Sequence, residues 1–260
     1  MIGQKSIAII GSGGMLGSDL FHYLRYYFKK IIGINRKNYD QYRGHQFDII
    51  INADGNSNKY WANKNILADF VASTDSVYAT LFDFPCKKYV YISSSDVYED
   101  HTGIKTTKES NIIDTVNLTP YGFHKYLSEC IIKNFIKNYI ILRCSMILGT
   151  NLKKGPVYDI LHKSRLFITQ KSRFQVITTI ALADILNFLL AQNTTEQVFN
   201  VGGRGAVLFS RITKYIQQSV NFSKNGKTQV YETDVSKLHE IYRLKTSVEY
   251  MQDFLKSVSR

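Results

Sequence analysis

Short apolar runs alternate along the chain with stretches in which apolar residues return every fourth position. The runs at residues 6–10, 31–35, 48–52, 89–93, 139–143 and 198–201 have strand length and composition. Between the first two, Leu16, Leu20, Leu24 and Phe28 share one face of a predicted helix. A second helix is predicted over residues 120–137, with Phe123, Leu127, Ile131 and Phe135 as its apolar face. Pro120 suits the first helical position, where an amide hydrogen would have no partner. Strands alternating with helices predict an α/β fold, a parallel sheet covered on both sides.

One connection is short. Residues 37–46 separate the second strand from the third, whereas a parallel crossover usually takes a dozen residues or more. Extended, they reach about 33 Å. They can cross a strand but cannot supply another strand and helix.

Composition narrows the class. The 260 residues are 44% hydrophobic, enough for a sizeable core. No run approaches the ~18 apolar residues of a membrane span. The first apolar stretch is too short for a signal-peptide core and reads as a strand. Cys86, Cys130 and Cys144 have no paired spacing, so free thiols in a reducing, cytoplasmic compartment are expected. The six histidines lack metal-ligand spacing, and no metal site is expected. The net charge of +12 is spread along the chain, without a basic block or interleaved aromatics. That argues against nucleic acid as partner and suits anionic small molecules.

The segment Gly11-Ser12-Gly13-Gly14-Met15-Leu16-Gly17 follows the first strand and opens the first helix. Gly11 makes the tight turn, Gly14 admits a pyrophosphate, and Gly17 lets helix and strand pack closely. The helix N-terminus adds free N–H groups and a positive dipole end. A dinucleotide site is therefore expected. The second strand ends in Asn35-Arg36 rather than an acid, so NADP(H) is favoured over NAD(H): Arg36 pairs with a 2′-phosphate and Asn35 does not repel it.

Two further segments carry chemistry: "SSSDVYED" from Ser93 and "YGFHK" from Tyr121 to Lys125. Tyr121 and Lys125 are one helical turn apart and project to one face. The ammonium is expected to lower the phenol's pKa and let it exchange a proton with a substrate hydroxyl or carbonyl.

With the glycine loop, these motifs resemble the extended short-chain dehydrogenases, and more narrowly the NAD(P)-dependent epimerase/dehydratase family acting on nucleotide sugars. The likeness extends through "IILRCSMILG" (140–149), "TIALADI" (179–185), "VFNVGG" (198–203) and "LKTSVEYMQDFL" (244–255). It implies a Rossmann-type doubly wound parallel sheet formed by residues 1–149 with a contribution from about 179–203. A small C-terminal substrate lobe would comprise 150–178 and 204–260. It implies a catalytic set of Ser94, Tyr121 and Lys125, with Lys125 also holding the nicotinamide ribose. The cofactor would lie along residues 11–17, Asn35, Arg36, Asn52, Ala53 and Asp54. Ser95, Asp96 and Arg173 are expected on the substrate side, with Lys153, Lys154 and Arg165 as weaker candidates for a diphosphate.

Departures from the family pattern are informative. Family dehydratases commonly carry an acid pair, or at least a glutamate before the apolar–Tyr pair, where this chain has Ser95 and one shorter acid, Asp96, which weakens dehydration. Asp54 stands where relatives have small apolar residues. The short crossover would remove an outer-edge strand and open the adenine pocket. A 4-keto-sugar reductase with exchangeable NADPH, in surface polysaccharide or deoxysugar biosynthesis, is the leading reading. A C4 epimerase or dehydratase retaining NAD is the alternative, and a non-catalytic dinucleotide sensor a remoter one. A homodimer is implied, packing residues 65–84 and 120–137 of each subunit into a four-helix bundle.

Overall fold

The computed structural model describes residues 2–216 and 220–258. In chain order the first half comprises β1 (Ser6–Ile10), α1 (Met15–Leu24), β2 (Lys30–Ile34), α2 (Tyr39–Tyr42), β3 (Phe47–Asn52), α3 (Lys59–Lys64), α4 (Ile66–Phe70), α5 (Ser76–Asp83) and β4 (Cys86–Ser94). Then follow α6 (Pro120–Phe135), β5 (Tyr139–Cys144), β6 (Met146–Leu148), α7 (Pro156–Leu161), β7 (Leu166–Ile168), β8 (Arg173–Phe174), β9 (Val176–Thr178), α8 (Thr179–Ala191) and β10 (Gln197–Val201). The chain continues with β11 (Val207–Leu208), α9 (Thr213–Ile216), β12 (Phe222–Lys227), β13 (Val230–Tyr231), α10 (Ser236–Ile241) and α11 (Ser247–Val258).

The six strands read from the apolar runs form one sheet in the order β10-β5-β4-β3-β1-β2. Every pairing in it is parallel. Its strands are buried on both faces, as continuous Ile- and Val-rich runs require. Ile7, Ile9, Ile49, Ile51, Val90, Ile92, Ile140 and Leu142 pack towards α1 and α8. Ala8, Ile10, Ile50, Tyr89, Tyr91 and Ile141 form the other core with α5 and α6. This is the doubly wound Rossmann-type α/β fold.

β2 is the outer edge strand. The short connection crosses β1 with α2 alone, and no strand is added beyond β2. Tyr39 fastens it by donating its hydroxyl to Asp83 at 2.8 Å. Smaller sheets, β11-β8-β13, β12-β7 and β6-β9, use the later part of the chain.

Two helices differ from the expectation. α1 ends at Leu24, and Phe28 reaches the same core from the following turn. α6 ends at Phe135, and the face it buries is not the apolar stripe. Tyr121, His124, Lys125, Ser128, Glu129 and Ile132 face inward. Phe123 and Phe135 remain 39% and 48% exposed. His124, Lys125 and Glu129 are satisfied by partners remote in sequence. Glu129, for example, accepts from Ser93 and Arg143. Helical periodicity alone therefore chose the wrong face.

Candidate active site

The glycine turn joins β1 to α1 at the end of the sheet where the strands' carbonyl ends lie. Gly11 has φ +82°, and a Cβ there would lie 2.8 Å from the Asp54 nitrogen. A Cβ on Gly17 would lie 2.2 Å from the Gly11 carbonyl oxygen. Both positions exclude a side chain for packing reasons. Gly11 and Ser12 donate their amides to the Ile34 carbonyl, each at 3.0 Å, fixing the turn against β2. Gly14 caps α1 without a side-chain bond, so the first-turn amides stay available to an anion. Met15 and Leu16 begin that turn, and Leu16 packs on the core beneath it. Space beside Gly13 and Gly14 remains open to a ligand: a Cβ there would meet Asn35 Cβ only at 3.6 Å and Gly11 O only at 3.4 Å. The loop thus fits a pyrophosphate.

Beside the loop, Arg36, Tyr39, Asp54, Ala72 and Ser76 line a cleft of about 300 Å³. Arg36 is exposed within it. Asn35 is half-buried and its side-chain oxygen accepts from the Lys37 amide at 3.0 Å. The Asp54 carboxylate accepts from Ser76 Oγ at 2.9 Å. Asn52 departs from its expected role. It is buried, giving its amide to Tyr89 Oη at 2.7 Å and Thr80 Oγ1 at 3.2 Å and accepting from the Asp54 amide at 2.9 Å. Its side chain shapes the backbone at Ala53 and Asp54 rather than facing a ligand.

The serines of β4 point to different places. Ser93 donates to Glu129 at 2.6 Å in the core. Ser95 is buried within the turn after the strand. Ser94 caps that turn: its Oγ accepts from the Asp96 amide at 3.2 Å and donates to Asp96 Oδ2 at 3.3 Å. α6 brings Tyr121 to the same place, since Gly122 rests on the Asp96 backbone. A Cβ on Gly122 would lie 2.1 Å from the Asp96 carbonyl oxygen. Thr119 caps the helix by accepting from the Gly122 amide at 3.3 Å, and Tyr121's own amide donates to Asn63 Oδ1 at 3.2 Å.

Tyr121 and Lys125 are both buried. Burial pushes the phenol up to about 12; Lys125 pulls against it, Asp96 adds to the rise, and the Ser94 hydroxyl opposes it. The ammonium does act in the expected direction, but desolvation outweighs it and the net shift is upward. Lys125 Nζ donates to the Ile92 carbonyl at 3.4 Å and lies 5.1 Å from the Tyr91 ring centre.

Ser94, Asp96, Tyr121 and Lys125 thus converge. Arg173 does not join them. It is exposed on β8, where alternation places it opposite Phe174, whose ring stacks on Tyr231. Lys153, Lys154 and Arg165 are likewise exposed.

Lys59 and Tyr231 join this site without any signal in the sequence. Lys59 Nζ pairs with Asp96 Oδ1 and donates to Tyr231 Oη at 2.7 Å. Burial opposes the charge on Lys59, but the Asp96 carboxylate and Tyr231 outweigh it and hold its pKa above the usual lysine value. The Tyr231 ring lies between His101, 4.0 Å away, and Phe174 at 5.5 Å. Another buried pair, His124 Nδ1 and Asp69 Oδ2 at 2.6 Å, lies next to Lys125 in sequence. No spacing rule links positions so far apart.

A glycine turn at a helix N-terminus and a Tyr-Lys pair facing a strand-end serine define a short-chain dehydrogenase-type protein. The chain belongs to the NAD dependent epimerase/dehydratase family, whose model matches residues 7–172. Its fold is similar to a dTDP-4-dehydrorhamnose reductase from Clostridium acetobutylicum at 13% identity. That match has a TM-score of 0.80 and covers 98% of this chain and 100% of the other. The corresponding reductase from Bacillus anthracis, solved with NADP, is 17% identical with a TM-score of 0.76, covering 98% and 99%. UDP-glucuronic acid 4-epimerase from Bacillus cereus, solved with UDP-glucuronic acid and NAD, is 16% identical with a TM-score of 0.77, covering 97% and 99%. No curated protein sequence matches the chain significantly.

Proposed function

We propose that this protein is an NADPH-dependent reductase of a nucleotide-linked 4-keto sugar. The observation that carries this reading is the exposed Arg36 in a cleft beside the outer edge strand β2, where a 2′-phosphate can be met and a dinucleotide can exchange, together with Tyr121 as a neutral proton donor. Reduction of a ketone needs a proton donor, whereas oxidation of a sugar hydroxyl begins with a base. Similarity to two dehydrorhamnose reductases, one solved with NADP, is compatible with it.

The fit of the glycine turn supports residues 11–17 as the pyrophosphate cradle. Arg36 and Asn35 would meet the adenosine end, with the backbone of Ala53 and Asp54 alongside. Lys125 would hold the nicotinamide ribose. The bound cofactor supplies the hydride. Tyr121 Oη then donates its proton to the substrate oxygen, and Ser94 Oγ contacts the same oxygen. Burial of Tyr121 and Lys125 keeps bulk water from competing. Asp96 and Ser95 border the sugar from the β4 turn, and the small sheets made from residues 150–178 and 204–258 supply the substrate lobe. Arg173 stays a candidate only for the outer, nucleotide end.

A second reading is favoured by Asp54. Its carboxylate shares the Arg36 cleft and opposes a 2′-phosphate. Retained NAD and C4 epimerisation would suit that charge. Purified protein, desalted and assayed with NADPH and a panel of nucleotide 4-keto sugars, separates the two. Stoichiometric NADPH oxidation supports the reductase. Dinucleotide that survives desalting, with sugar interconversion and no added cofactor, supports the epimerase.

We also infer a homodimer. Leu67, Phe70, Val71, Tyr78, Phe82, Phe123 and Phe135 are exposed on α4 to α6. The Tyr78, Phe82 and Phe135 rings already touch, with centroids 5.0–5.6 Å apart. An aromatic face of this kind calls for a partner surface, and a second copy offers a matching one. Among the described residues no helix is long and apolar enough to cross a membrane; a cytoplasmic location agrees with the use of NADPH.

A further inference from the structure

We propose that Lys59 and Tyr231 are positioning residues for Ser94, acting through Asp96. The proposal rests on the reading that Ser94 and Tyr121 serve a reacting sugar oxygen. Three segments far apart in sequence meet at one carboxylate. Asp96 Oδ1 takes the Lys59 ammonium from α3 and, at 3.4 Å, the Tyr231 hydroxyl from β13. Asp96 Oδ2 takes the Ser94 proton at 3.3 Å, and the Asp96 amide returns a bond to Ser94 Oγ at 3.2 Å.

The arrangement dictates what Ser94 can do. A serine hydroxyl has one proton and two acceptor positions. The proton is directed to Asp96 and one acceptor position is filled by the Asp96 amide. These two bonds hold the Ser94 oxygen beside the Tyr121 hydroxyl, with which it also interacts. A freely rotating serine would spread its hydroxyl over three staggered positions; Asp96 selects one of them. Asp96 can select it only while its own carboxylate is fixed, and that is the part played by Lys59 and Tyr231. The Asp96 side chain is 13% exposed and that of Lys59 33%, so the pair is shielded enough to hold its geometry. Tyr231 is itself fixed between the His101 and Phe174 rings. β13 belongs to the substrate side of the molecule, so the clamp ties that side to the catalytic serine. It also bears on reaction type. With both oxygens engaged, Asp96 is not free to remove a carbon-bound proton, which disfavours water elimination.

The test is a mutant cycle. Lys59→Met is expected to lower kcat for keto-sugar reduction about 10-fold, with KM and melting temperature nearly unchanged. Lys59→Arg, which keeps a cation and a donor, should recover most of that loss. In a Ser94→Ala background Lys59→Met should have no further effect, because its action passes through Ser94. Tyr231→Phe should cost less than Lys59→Met, since the ammonium remains. A second measurement needs no turnover: NMR titration of Lys59 Nζ should lie above ordinary lysine in the wild type and fall in Asp96→Asn. Additive losses in the Ser94→Ala background, or a loss confined to KM, would overturn the proposal, and so would a Lys59 titration indifferent to Asp96→Asn. Wild-type protein inactive on every keto sugar would instead count against the reductase reading; the NMR arm would still judge the clamp.

Discussion

Glu129 on α6 and Arg143 on β5 are locked together by three contacts of 2.7–3.2 Å, with neither side chain in reach of solvent. Arg143 also donates to Tyr98 Oη at 2.9 Å, and Tyr98 donates to Asn200 Oδ1 at 2.9 Å. This network sets α6, and with it Tyr121 and Lys125, against the sheet. Arg143→Met alone leaves an uncompensated buried carboxylate, so a loss of ~3–5 kcal/mol is expected. Replacing both partners by apolar residues should cost less. Urea unfolding of the single and double variants checks the order.

Tyr121→Phe removes one hydroxyl from a buried ring. Folding and dinucleotide binding should survive, while turnover falls by ~10²-fold or more. Ser94→Ala should cost less, because water can replace one hydrogen bond. Near-normal turnover in Tyr121→Phe would take the phenol out of the mechanism.

Arg36→Ala should weaken NADPH binding by ~1.5–3 kcal/mol and leave NADH binding almost unchanged, since only NADPH carries the 2′-phosphate. Isothermal titration with both cofactors reads the difference. An equal loss for both would show that Arg36 serves some other group, and would strengthen the case built on Asp54.

Phe82 and Phe135 sit at the centre of the exposed aromatic face, 55% and 48% accessible. Phe82→Glu combined with Phe135→Glu should convert a dimer to a monomer without unfolding it. Light scattering after gel filtration gives the mass directly. A wild type that is already monomeric at micromolar concentration would refute the inferred dimer.

Asp48 supplies a pH dependence. The Lys87 ammonium, with the Ser6 amide and hydroxyl, draws its carboxyl down to about 2. The folded value lies below the unfolded one, so its contribution is present above the unfolded value near 3.8 and is lost as pH falls towards 2. The fall in melting temperature between about pH 5 and pH 2 should therefore be shallower in Asp48→Asn than in wild type. Parallel curves would show that the Lys87–Asp48 pair adds nothing.

The sheet was legible because each strand announces itself locally. A run such as Ile7-Ala8-Ile9-Ile10 must be buried on both faces, and only a covered parallel sheet buries it so. The Gly11-to-Gly17 turn was legible for a steric reason, since its backbone approaches admit no Cβ. The short crossover excluded a further strand and helix between β2 and β3 by length, and the family resemblance put the missing strand at the sheet's outer edge.

The buried face of α6 was not legible. Its inward residues are polar, and their burial is favourable only because Arg143, Ser93 and Asp69 arrive from other elements to pair with them. Phe123 and Phe135 of the hydrophobic stripe were left outside, while Ile131 packs against the core. The inward placement of the Asn52 side chain was not legible for a similar reason. Its partners Thr80 and Tyr89 lie 28 and 37 residues away, and they turn the amide into the core.

The sequence by itself determined the parallel sheet, the glycine turn and the Tyr121–Lys125 pair, because each depends on contacts within a few residues or on burial that every neighbour enforces. Tertiary structure alone decided that α6 buries polar residues, that burial outweighs Lys125 in setting the phenol, and that Lys59 and Tyr231 close on Asp96. Those outcomes depend on side chains 37 to 135 residues apart arriving at one carboxylate, and on how far water is excluded once they do, neither of which has a local signature in the chain.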